Sequence, residues 1–266
     1  LPPEPSLEAT PRPPGLREQL GEWFEGLGGE PTVIVCGASA FLIVSHYQGS
    51  ASYFRSLVGP RWDALPWSPA LGHFWWFATS IVLYLVLPLV LAVATRGSFN
   101  QKYGFGLGDW KLGLGMTAVL LGVMLPATWV ASTLPSFKGM YPLAGNGAYM
   151  ENLGGGKTQV SWGLFLTYEA AYFAYFIAWE FLFRGWMVHG LSPHWGRAPA
   201  ILVQVAPFAV MHLGKAELEA LGSIVAGVAL GLLSLRTRSF WYGALIHGVV
   251  AVWMDWLSAK AVLLAP

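Results

Sequence analysis

Apolar residues dominate seven successive stretches of the chain: Thr32–Tyr47, Leu71–Ala94, Leu112–Thr133, Trp162–Val188, Ala198–His212, Ala220–Leu235 and Trp241–Leu257. Stretches of this length and character read as lipid-spanning helices, which need about 17–25 predominantly apolar residues. Several are shorter than that, so those helices borrow flanking residues or re-enter the membrane without crossing it. Pro88 and Pro207 lie inside the second and fifth stretches, where a missing amide and a ring clash predict kinks.

Composition agrees with the pattern. The chain is 55% hydrophobic and 11% charged, and its 14 Trp, 15 Phe and 10 Tyr suit interfacial belts and helix packing. The expected fold is an all-α polytopic transmembrane bundle of about seven helices over 31–266, embedded in a lipid bilayer. Residues 1–30 differ: Leu1–Pro14 carries six prolines, and Leu16–Leu27 spaces apolar residues among charges, which predicts a tail leading into an amphipathic segment on the membrane surface. The chain begins with Leu, so a trimmed N-terminus is expected. A net charge of +1 offers no basic patch for nucleic acid, and the single Cys36 cannot form a disulfide within the chain. If the N-terminus is cytoplasmic and all seven stretches cross, Lys and Arg divide nine inside, Arg184, Arg197, Arg236 and Arg238 among them, against six outside.

Within the fourth stretch stand Glu180 and Arg184, four residues apart and about 40° apart around a helix, so both can share one polar cavity. An ionised group at mid-bilayer costs roughly 2.5–3.5 kcal/mol on insertion scales, which makes it a candidate functional group. His212 ends the fifth stretch and His247 sits just inside the seventh. At 1.5 Å per residue Glu180 lies about 15 Å before the 190–197 loop, His212 about 22 Å after it, and His247 about 12 Å past Ser239. The depths permit a common site. Singly, the residues also fit a structural ion pair and interhelical hydrogen bonds. Together they form the set that water activation inside a membrane requires, with Glu180 as general base and the histidines as metal ligands or oxyanion stabilisers.

Glu180-x-x-x-Arg184-Gly185, then Phe208-x-x-x-His212, then His247 late in a helix resemble the motifs of the CPBP intramembrane proteases. These include the type II CAAX prenyl endopeptidases and bacteriocin-processing proteins. The resemblance covers about 162–257. It implies a helical membrane bundle with its site open to lipid and cytoplasm, and hydrolysis of peptide bonds near the membrane surface. Glu180 corresponds to the second Glu of the family's Glu-Glu-x-x-x-Arg, Arg184 to its Arg, and His212 and His247 to the second and third motifs. Two positions depart: Trp179 stands where the first Glu is expected and Ala251 where the third motif has Asn.

Those departures leave two expectations open, an endopeptidase acting on membrane-presented protein or peptide tails and an inactive relative serving as an immunity or scaffold protein. A replacement acid could come from Glu219, if the loop after His212 folds inward. Glu169 is too far along the helix from Glu180, by roughly 16 Å, to act in its place. Asp255 reads as a mark of the membrane surface. His212, His247 and a glutamate resemble a three-ligand zinc site, although Glu180 could then hardly serve as both ligand and base, and a metal-free site explains the same residues. The expected location is a bacterial inner membrane.

Overall fold

The computed structural model describes residues 29–65, 67–94, 102–154 and 157–263, together with 15, 16, 21 and 25. The amphipathic segment expected at Leu16–Leu27 and the proline-rich tail lie mostly outside the described residues. The elements are α1 (Glu30–Gln48), α2 (Ala51–Val58) and α3, which runs from Ser68–Ile81 through a π-helical turn Val82–Val86 into Leu87–Ala94. Then come α4 (Trp110–Ala131), a two-stranded antiparallel hairpin of β1 (Met150–Gly154) and β2 (Lys157–Val160), and α5 (Trp162–Glu180). The α5 rod continues as a π-helix over Phe181–His189 and a final turn Gly190–Trp195; α6 (Arg197–Val210), α7 (Glu217–Thr237) and α8 (Trp241–Leu263) follow.

The protein is an integral membrane protein with an all-α bundle. Each of the seven apolar stretches becomes a helix, and the hairpin is a small addition outside them. Among the described residues α1, α3 over Ser68–Val93, α4 and α7 are long and apolar enough to cross a membrane. α5 and α8 are as long, but they carry Glu169, Glu180, His247, Asp255 and several Tyr and Trp, which lowers their hydropathy. They afford this because they are central: α5 packs against α3 and α8, and α8 packs against α4. From Tyr175 to Leu191 nearly every residue of the α5 rod is buried. α4, by contrast, exposes Leu114, Val119, Val123, Trp129 and Val130, the surface that lipid covers.

The fifth stretch, one of those expected to be short, gives a helix of 14 residues, about 21 Å long against a hydrocarbon core of about 30 Å. It forms a hairpin with α7 and does not cross alone, which brings His212 into the bundle. The expected loop at 190–197 reduces to a break at Gly196, whose φ of 83° ends one helix and starts the next. Arg184 is fully buried, so it is not a charge of the inside loops, and Asp255 is fully buried as well, so it does not mark a surface. The Asp255 carboxylate accepts from the Leu143 backbone N–H at 2.7 Å and the Tyr149 hydroxyl at 3.2 Å, pinning the segment before the hairpin onto α8.

Candidate active site

Glu180 is the last residue of α-helical geometry in α5, and the π-helix begins with the next residue. Such a stretch inserts an extra residue per turn and redirects the side chains that follow, a distortion often found at functional sites. Glu180 and Arg184 are both fully buried, with Arg184 Nη1 donating to Glu180 Oε1 at 3.0 Å. The guanidinium carbon lies 4.1 Å from the Phe208 ring centroid, and Nη2 reaches the Ala226 carbonyl at 3.5 Å. A delocalised cation held between an aromatic face and a carboxylate orients that carboxylate without proton exchange of its own.

His247, one and a half turns into α8, meets the same oxygen: its Nδ1 lies 2.8 Å from Glu180 Oε1. An ionised carboxylate only accepts, so His247 Nδ1 carries the proton and its Nε2 is left as an acceptor. His212 Nδ1 donates in the same way to the Phe208 carbonyl at 2.7 Å, and its Nε2 is likewise an acceptor. The two rings lie 6.3 Å apart between centroids and only 15° from parallel. Phe176 packs on His247 with centroids 4.3 Å apart, and Trp179 stands edge-on to His212 at 6.0 Å.

Both imidazoles line a cavity of about 560 Å³ whose wall is mostly apolar, drawn from α3 to α8. Glu180 is not part of that wall. Its Oε2 is buried without a hydrogen-bond partner among the described residues, and a Cβ added at Gly243 would lie 2.8 Å from it. Only glycine on α8 lets the carboxylate approach so closely. The acid therefore reaches the cavity through His247, and water in the cavity meets imidazole nitrogen before carboxylate oxygen.

Sequence reasoning singled out Glu180, Arg184, His212 and His247, and the fold gathers all four. Glu219 lines the same cavity, but its partner is neither His212 nor Glu180: both carboxylate oxygens accept from the Tyr141 hydroxyl at 2.9 Å. Lys215 donates to that hydroxyl at 3.2 Å, so the loop after His212 does turn inward, onto the 132–149 segment. Glu169 lies beside Asp255, away from the cavity wall. Trp179 and Ala251 both face the cavity. Phe208, the first residue of the Phe-x-x-x-His motif, stacks on Arg184, and Gly243 and Tyr141 are site residues that the sequence did not reveal. A catalytic zinc takes three protein ligands, and among the described residues no group of three His, Cys, Asp or Glu is arranged to hold a metal. With Glu180 Oε1 occupied by Arg184 and His247, the side chains here do not fit that ion.

Residues 161–253 match the family model described as Type II CAAX prenyl endopeptidase Rce1-like. The matched segment holds Glu180, Arg184, His212 and His247, and also Trp179 and Ala251. No curated protein and no solved structure matches the chain.

Proposed function

Taking the similarity of residues 161–253 to the type II CAAX prenyl endopeptidases as premise, we propose that the protein is an intramembrane endopeptidase hydrolysing membrane-presented protein or peptide tails. The observation that carries this reading is the hydrogen-bonded series Arg184–Glu180–His247 ending at a mostly apolar cavity that His212 also lines. A carboxylate behind an imidazole fixes its tautomer and stabilises the imidazolium formed when Nε2 takes a proton. In this mechanism His247 Nε2 accepts a proton from water as the oxygen attacks the peptide carbonyl. The His247 imidazolium then returns that proton to the amine nitrogen as the C–N bond of the tetrahedral intermediate breaks, while His212 Nε2 accepts a hydrogen bond from the hydroxyl that came from the water. Arg184 holds the Glu180 carboxylate in place through the Nη1–Oε1 bond. The apolar wall takes the hydrophobic part of the substrate, which can be a prenylated C-terminus, a leader peptide or a sorting tail, and a bacterial inner membrane suits each.

A second reading has its own support. Trp179 puts an indole where the family's first acid stands, and Ala251 leaves no side-chain amide one turn beyond His247. A relative that binds tails without cutting them, as an immunity or scaffold protein, would have this wall. Cleavage of candidate membrane peptides by wild type and by Glu180→Gln separates the two. Proteolysis lost in Glu180→Gln supports the enzyme, and binding without any cleavage by wild type supports the scaffold.

A further inference from the structure

A second concave site lies at the far ends of three membrane helices, away from the imidazoles. It is a pocket of about 300 Å³ lined by Asp109, Arg197, Leu235, Arg236 and Arg238. Arg197 opens α6, Arg236 ends α7, and Asp109 caps α4 by accepting from the Leu112 N–H at 3.1 Å. None of the three guanidiniums has a carboxylate within 4.0 Å among the described residues, and the one acid in the lining is turned to its own helix. Three arginines against one aspartate leave the pocket with an excess of two positive charges.

The three arginines are exposed, and the backbone that carries them is fixed. Arg238 follows the C-terminus of α7 with φ 60° and ψ 36°, the left-handed conformation where glycine is the ordinary residue. A non-glycine residue held there points to a use for its side chain. The opposite rim is tied down just as firmly. Asp109 N–H donates to the Thr237 carbonyl at 2.9 Å, and Tyr242 donates to the Leu107 carbonyl at 2.6 Å. A Cβ added at Gly108 would lie 1.9 Å from the same Thr237 oxygen, so the two segments touch backbone to backbone.

We propose that this pocket binds the phosphate of an anionic phospholipid headgroup. Guanidinium forks match phosphate oxygens in pairs, and basic pockets between helix ends at a membrane face are where such headgroups dock. A lipid is favoured over a free anion by the surroundings. Leu235 is part of the lining, Leu107, Trp110 and Trp195 are exposed within two residues of it along the chain, as residues of an interfacial belt would be, and Leu114 and Leu232 leave apolar helix surface open to acyl chains. The proposal is independent of the protease reading, because none of its residues lies in the imidazole cavity.

The test uses the full chain in nanodiscs of phosphatidylcholine alone or with phosphatidylglycerol, reading lipid retained after extraction and the thermal midpoint. Phosphatidylglycerol is expected to be retained and to raise the midpoint. The combined Arg197→Gln, Arg236→Gln and Arg238→Gln variant should lose both effects, at about fivefold in affinity per arginine. Arg238→Gly guards against a folding artefact: it removes one guanidinium and relaxes the backbone, so the midpoint in phosphatidylcholine should hold while affinity for phosphatidylglycerol falls about fivefold. Equal retention by wild type and the triple variant overturns the proposal. So does an equal midpoint rise with inorganic phosphate in phosphatidylcholine discs, which would mark a site for a free anion.

Discussion

Replacing Glu180 by Gln isolates the charge of the carboxylate from its shape. Both hydrogen bonds to Glu180 fall on Oε1, from Arg184 and His247, and Oε2 has no partner among the described residues. A Gln at 180 can therefore keep its carbonyl oxygen at the Oε1 position and turn its amide nitrogen to the unpartnered side, leaving the His247 tautomer unchanged. What disappears is the attraction between carboxylate and imidazolium. At about 4 Å between charge centres and an effective dielectric of about 20, that attraction is about 4 kcal/mol. The amide dipole recovers part of it, so turnover should fall by about two to three orders of magnitude. Arg184 meanwhile loses its counter-charge while fully buried, which should cost roughly 3 kcal/mol of stability. Cleavage of a membrane peptide must therefore be measured on protein whose folded fraction is known from its thermal midpoint in the same detergent. If Glu180 works through His247, Glu180→Gln and His247→Gln combined should be little worse than the worse single variant, since residues acting as a unit are not additive. Unchanged turnover in Glu180→Gln, or a loss no greater than its unfolded fraction, refutes the reasoning.

Gly243→Ala should lower turnover about tenfold or more and stability by about 1–2 kcal/mol, since its Cβ would press on a carboxylate already pinned through its other oxygen; paired activity and thermal-midpoint measurements check this. Glu219→Ala should cost roughly 1–2 kcal/mol through the lost Tyr141 bonds, while exposed Glu217→Ala should be neutral; equal midpoints for the two variants would show that the Tyr141 bonds do not hold the loop. Trp179→Glu puts an acid beside His212, where the family resemblance expects one, and should raise peptide cleavage by about tenfold or more; a folded variant with no gain would show that the indole is not what limits the wild-type rate.

The helices were legible because a membrane leaves the backbone few choices: an apolar stretch of sufficient length must satisfy its amides internally, and all seven stretches do so as helices. The gathering of Glu180, Arg184, His212 and His247 was legible for a related reason, since ionisable side chains on apolar helices must find one another or a cavity. What stayed hidden depends on geometry between helices. Nothing in the run of letters around Gly243 says that a carboxylate from α5 will rest on it, and nothing at Asp255 says that a loop amide from Leu143 will reach it. The expected depths rest on a loop at 190–197 and on regular helices on either side of it. The π-helical run after Glu180 and the reduction of the loop to Gly196 depart from both, and neither has a periodic signature.

The retained and the altered family positions differ in what holds them. Glu180, Arg184 and His247 belong to one hydrogen-bonded series, and His212 is fixed by a backbone carbonyl, so changing any of them leaves a partner without its hydrogen bond. Trp179 and Ala251 line the cavity, where their neighbours are mostly apolar rings and aliphatic side chains. A change there alters what the wall offers a ligand and leaves the hydrogen bonds beneath intact. The imidazole pair and its carboxylate can thus persist while the wall is remade, which in the proposed endopeptidase makes the wall the place where the choice of tail would be set.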